Sequence, residues 1–212
     1  MRKILEDIQK MPYYRNYQAV SGKVHNVANH EKAVEDILVK HGLSETKKKI
    51  SKEERNKWMS DSSICDLPND CYVFQPCGKN DSPDFIVKKD NKVYFLECKT
   101  TSATAAAKPV YNSGVPKAEY IYIYSSGKYN QTTFFFGEHI LSREAYSLMM
   151  KIIEEHRNLD EKYNVEIIGL PGNPYNIGHY TRPMMNHRGR GINYFTSPNR
   201  KKFEQEVLDS CM

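Results

Sequence analysis

Ser82-Pro83-Asp84-Phe85-Ile86-Val87-Lys88-Lys89-Asp90-Asn91-Lys92-Val93-Tyr94-Phe95-Leu96-Glu97-Cys98-Lys99-Thr100-Thr101 is the stretch that decides how the rest of the chain is read. Two runs rich in β-branched and aromatic residues flank Lys89-Asp90-Asn91, whose composition is that of a turn. The pattern predicts an antiparallel hairpin with strands at Asp84–Lys88 and Lys92–Lys99. Side chains alternate along a strand, so Glu97 and Lys99 share one face while Leu96 and Cys98 take the other. With Leu96 and Cys98 turned to the core, the charged pair is displayed outward, and the turn brings the Asp84 carboxylate beside it.

Two carboxylates and an ammonium at one point are what phosphodiester hydrolysis needs: hard oxygen ligands for Mg²⁺, a water made nucleophilic, and positive charge beside a crowded phosphate. Asp84 and Glu97 are therefore the expected metal ligands, with the main-chain carbonyl of Cys98. Lys99 is expected to orient the water or to stabilise charge on the phosphate. The competing explanation is an ordinary surface pair, since an acid two residues before a lysine is frequent on solvent-facing strands. The context, Pro-Asp opening one strand and Glu-Cys-Lys closing the next, favours catalysis.

Outward from the hairpin, further strands are expected at Cys71–Gln75, Glu119–Tyr124, Thr132–Phe136 and Val165–Gly169. Helices are expected at Ile4–Met11, at His30–His41 with Asn29 as cap and Gly42 as stop, at Ser51–Met59, from Ser142 to about Asn158, and at Lys201–Leu208. The order is mixed α/β, a central mixed β-sheet flanked by helices. The 212 residues suit one domain (1–212), with an N-terminal arm or packed lead-in at 1–28 and a basic segment at 171–202. The alternating tyrosines from Tyr120 to Tyr124 read as core rather than as base-stacking groups.

Hydrophobic residues make up 39% and charged residues 27%, ordinary globular usage. No apolar run reaches the length of a membrane span, and acids stand where a signal peptide carries its apolar stretch, so no membrane association and a cytoplasmic location are expected. Five cysteines without a CxxC pair point to free thiols, not to disulfides or structural zinc. The net charge of +5 is modest, but its distribution is uneven. Pro171 to Lys202 contains no acid and carries Arg182, Arg188, Arg190, Arg200, Lys201 and Lys202, joined by His179 and His187, a place for a polyanion. Candidate DNA contacts are Lys128 and Asn130 in the 125–131 loop, and Arg182, Asn186, Arg188 and Arg190 in the basic segment. A plain hairpin connection is an equal reading of the first loop.

Pro83-Asp84 and Glu97-Cys98-Lys99 resemble the signature of the PD-(D/E)xK nuclease superfamily, and Gln75-Pro76-Cys77-Gly78 shortly before them resembles type II restriction endonucleases in particular. The specific match spans residues 72–101. The resemblance implies a restriction-endonuclease-like sheet between helices, Mg²⁺ dependence, and cleavage of double-stranded DNA at a short specific sequence to 5′-phosphate and 3′-hydroxyl ends, by a homodimer accompanied by a cognate DNA methyltransferase. Many relatives add an acid from an early helix. Glu31 and Glu35 qualify, with Glu35 preferred because it sits deeper beside the apolar face, although a solvated surface role competes for both. Gln75 either faces the site or makes a strand-edge hydrogen bond. Two other readings stay open: a structure-selective or repair nuclease of the same fold, and a non-catalytic DNA-binding module.

Overall fold

In the structure, a computed structural model describing residues 1–16, 30–79, 81–101, 111, 114–181 and 193–212, the hairpin is present. Its strands are β3 (Phe85–Lys89) and β4 (Lys92–Thr101), paired antiparallel from Lys89 opposite Lys92 to Phe85 opposite Leu96. The two linking residues, Asp90 and Asn91, have φ of 53° and 60°. That left-handed pair matches the twist of the strands, and Asp and Asn adopt it at lower cost than other side chains bearing a Cβ.

The sheet builds outward from this hairpin in the order β1 (Ser44–Glu45), β2 (Cys71–Phe74), β3, β4, β5 (Ile121–Ser126), β6 (Gln131–Phe136). The β1–β2 and β4–β5 pairs are parallel and the rest antiparallel, so the sheet is mixed as expected. The α-helices among the described residues are α1 (Arg2–Lys10), α2 (His30–Lys40), α3 (Lys52–Ser60), α4 (Arg143–Ile168) and α5 (Arg200–Ser210). Ser51 caps α3 and Ser142 caps α4, each hydroxyl accepting a first-turn N–H, from Glu54 and Ala145.

Both faces of the sheet are covered. One carries Phe85, Val87, Leu96, Cys98, Ile121 and Ile123 against Ile4, Leu5 and Ile8 of α1, Val34, Ile37 and Leu38 of α2, and Val207 and Leu208 of α5. Residues 1–16 are thus a packed lead-in rather than an arm; residues 17–28 and the Asn29 cap lie outside the described residues. The opposite face carries Val73, Ile86, Phe95 and the tyrosines 120, 122 and 124 against Trp58 of α3, Tyr111 and Phe195. The tyrosines are core, as expected. The outward display of Glu97 is corrected: its face is roofed, and only 7% of the residue is exposed. All five cysteines are free, and no helix among the described residues is long and apolar enough to cross a membrane.

One predicted element is replaced. Val165–Gly169 is not a strand but the last turn of α4, which runs on past Asn158 to Ile168 with Gly169 as its C-cap residue. No glycine or proline interrupts residues 143–168, and extending an existing helix adds a hydrogen bond per residue without a new nucleus. The strand preference of Val165, Ile167 and Ile168 has no sheet edge to act on. None of the described residues of α4 is buried, and Leu148, Ile152 and Leu159 are more than half exposed.

Candidate active site

The β3–β4 ladder ends at Phe85 opposite Leu96, and one step further the same register sets Asp84 across from Glu97. Past that point β4 continues beside β5 but has no partner on the β3 side. The Asp84 carboxylate fills the vacated place: its Oδ2 accepts the Cys98 main-chain N–H at 2.7 Å. The Asp84 carbonyl in turn accepts the Gln75 N–H at 2.8 Å. The Gln75 main chain, bent at φ 44°, is thereby tied to Asp84.

Glu97 and Lys99, two apart on β4, meet directly: Lys99 Nζ donates to Glu97 Oε1 at 2.5 Å. The other oxygen, Oε2, is buried and has no hydrogen-bond partner among the described residues. A buried carboxylate oxygen without a donor or a cation is costly, so this atom points to a positively charged ligand. Asp84 tells the same story. Burial, then the negative charge of Glu97, pushes its carboxyl up to about 7, against the opposing pull of the Cys98 N–H and Lys99. For Lys99, burial works against the charge, but attraction to Glu97 and Asp84 outweighs it and holds the ammonium above the ordinary lysine range. Cys98 lies on the opposite face, where burial drives its thiol well up, so it offers the site no thiolate.

Ser82, Glu97, Lys99, Tyr111, Gly114, Val115 and Tyr122 line a cavity of about 20 Å³, room for one water-sized group. Asp84 and Lys99 are half-buried and keep the site in contact with solvent. A larger cavity of about 210 Å³ lies between β6 and α5, around Phe134, His139, Arg200 and Phe203, and includes none of Asp84, Glu97 or Lys99. The chemistry, not the size, locates the site.

Among the described residues no group of three or more His, Cys, Asp or Glu side chains forms a metal cluster. The donors available are two carboxylates and, from the main chain, the Cys98 carbonyl. Such a set does not suit zinc, which prefers sulfur and nitrogen ligands. It fits Mg²⁺, which is commonly held by one or two carboxylates and keeps several waters.

Glu35, the preferred acid of α2, is engaged by two other side chains. Its Oε1 accepts the Tyr72 hydroxyl at 2.9 Å and its Oε2 accepts Lys32 at 2.7 Å, so it joins α2 to β2. Glu31, one turn nearer the helix start, is the α2 acid whose charge acts on Asp84. The same end of α2 brings in His30, which sequence reasoning passed over. Burial, aided by the charge of Lys99, lowers His30 to about 3, so its imidazole is neutral at ordinary pH. Asn130 sits in the β5–β6 turn at φ 48°, where its side-chain oxygen accepts the Tyr13 N–H at 3.0 Å, packing the turn onto the N-terminal segment. Lys128 beside it is exposed, with its ammonium over the Tyr129 ring. Arg182, Asn186, His187, Arg188 and Arg190 lie outside the described residues.

Two more cations near the site were not signalled by any motif. Arg55 of α3, 5% exposed, donates to the Ser82 carbonyl at 2.7 Å and pairs with Asp81 at 3.4 Å, anchoring the approach to Asp84. Lys117 reaches Ser82 from the segment before β5. No family model matches the chain, and no curated protein or solved structure is significantly similar to it.

Proposed function

We propose that this chain is a Mg²⁺-dependent DNA endonuclease of the PD-(D/E)xK type, most specifically a type II restriction endonuclease. The observation that carries the reading is the convergence at the end of the β3–β4 ladder: Asp84 beside Glu97, Lys99 on one oxygen of Glu97, and the other oxygen buried without a partner among the described residues. The six-stranded mixed sheet between helices is compatible with a restriction-endonuclease-like fold.

Asp84 and Glu97 are the residues that would hold the cation, with the Cys98 carbonyl. A bound Mg²⁺ supplies Lewis acidity toward the phosphate and lowers the pKa of water in its shell. The chain's own contribution is positional and electrostatic. The Cys98 N–H fixes the Asp84 carboxylate, and Glu97 holds the Lys99 ammonium at the mouth of the cavity, where it orients the attacking water or meets charge building on the phosphate oxygens. A phosphate approaches from the side of Asp84 and Lys99, both of which keep contact with solvent. Hydrolysis then forms a bond from water oxygen to phosphorus and breaks the bond to the 3′-oxygen, leaving a 5′-phosphate and a 3′-hydroxyl. On this reading the substrate is double-stranded DNA, the working unit a homodimer, and a cognate methyltransferase protects the host's own sites.

The deciding experiment is digestion of a plasmid of known sequence by the purified protein, with Mg²⁺ and with EDTA, followed by sequencing of the ends. Cutting at one short sequence only with Mg²⁺ supports the proposal. Preference for branched or mismatched substrates instead favours a structure-selective nuclease. Duplex binding that is indifferent to Asp84→Ala, with no metal-dependent product, leaves a non-catalytic DNA-binding module.

A further inference from the structure

We infer that Lys117 is a second substrate-contacting cation of this site, one that binds a phosphate of the nucleic-acid backbone beside Ser82, a residue of the cavity that Lys99 also lines. The inference rests on the nuclease reading above. Lys117 Nζ donates to the Ser82 hydroxyl and to the Tyr120 hydroxyl, both at 3.2 Å, and stands 4.8 Å from the centre of the Tyr120 ring. Both hydrogen-bond partners are neutral. No carboxylate among the described residues lies within ion-pair distance of this half-buried ammonium. Lys99 already has its anion in Glu97, whereas Lys117 is held by hydroxyls and an aromatic face, an arrangement that leaves its charge to be met by an incoming anion.

The Lys117 main chain is held on both sides. The Lys117 main-chain N–H donates to the Tyr122 hydroxyl at 2.9 Å, and its carbonyl accepts the Tyr120 N–H at 3.2 Å. Tyr122 pairs with Glu97 in the β4–β5 register and lines the cavity, as does Ser82. Behind the Lys117 carbonyl the chain passes at Gly137, where an added Cβ would lie 2.0 Å from that oxygen. Only glycine lets the end of β6 clamp Lys117 so closely.

The charged surroundings agree with an anion-seeking role. Burial and then the positive charge of Arg55 lower Lys117 to about 8, while Asp81, Glu97 and Cys77 pull the other way. At neutral pH the ammonium is still largely protonated and is better stabilised by a phosphate than by anything now beside it.

The test measures binding of a DNA duplex in EDTA, across a salt series, by the Asp84→Asn protein alone and by the same protein carrying Lys117→Met or Lys117→Arg as a second substitution. Cleavage by the single Lys117 variants and their thermal melting are followed in parallel. The expected result for Lys117→Met is weaker binding and a log–log salt slope shallower by about one, with melting unchanged and Lys117→Arg restoring most of both. Unchanged slope and unchanged cleavage in Lys117→Met overturn the inference while leaving the nuclease reading in place. A wild type that binds duplex but never cuts sinks the nuclease reading, and the slope still decides whether Lys117 meets a phosphate. Absence of duplex binding by the wild type overturns both, and a collapse of melting shared by Lys117→Met and Lys117→Arg assigns Lys117 to folding instead.

Discussion

The carboxylate of Asp84 accepts the main-chain N–H of Cys98 at 2.7 Å. One hydrogen bond therefore closes the open end of the β3–β4 ladder and sets a carboxylate beside Glu97. The same contact ends a secondary structure and begins a site, and the consequences of disturbing it are measurable.

Glu97→Gln and Lys99→Ala are each expected to lower single-turnover cleavage by about a hundredfold or more, with duplex binding within a few-fold of wild type. Lys99→Ala also strips a buried carboxylate of its ion partner. Its stability cost should fall below the roughly 3–5 kcal/mol of a fully buried broken pair, because Lys99 keeps some solvent contact, and circular dichroism should show the fold retained. Full cleavage by either variant contradicts the assignment.

Asp84 binds its proton more tightly folded than unfolded, with a folded value of about 7 against an ordinary 3.8. The metal-free protein should consequently lose stability as pH rises from about 4 through 7, the window in which the folded form alone holds that proton. Mg²⁺ requires the ionised carboxylate, so the rise in melting temperature that Mg²⁺ produces should grow over the same window and level off above it. Asp84→Asn is expected to flatten both profiles. Melting curves with and without Mg²⁺ at a series of pH values check this, and a Mg²⁺ response that ignores Asp84→Asn counts against the metal site.

Arg55 and Lys52 both pair with Asp81 but should behave differently. Arg55 is buried and also holds the Ser82 carbonyl, so Arg55→Met is expected to cost on the order of 2 kcal/mol and to depress cleavage by loosening the approach to Asp84. Lys52 is 65% exposed, and Lys52→Ala should change stability by under about 0.5 kcal/mol. Chemical denaturation of the two variants separates them.

Helix α4 buries none of its described residues. Leu148→Glu and Leu159→Glu should then shift stability by no more than about 0.5 kcal/mol. A large drop in melting temperature for either would mean that the apolar side of α4 is covered in solution.

The hairpin, its turn and the meeting of Asp84 with Glu97 and Lys99 were readable from residues 82–101, because strand alternation, turn chemistry and the spacing of charges are all local. The tyrosines of β5 and the helix starts near Ser51 and Ser142 were readable for the same reason. Val165–Gly169 misled because its local preference is that of a strand, while the helix arriving from Ser142 had no reason to stop before Gly169. Which acid of α2 acts on Asp84, the roof over Glu97, and the arrival of Arg55 and Lys117 beside Ser82 depend on how helices and loops distant in sequence pack against the sheet. No periodicity records that packing: the amino-acid order set each element and its charged face, and burial of both sheet faces decided which charges meet, because two covered faces leave the ladder's open end as the place where polar groups gather.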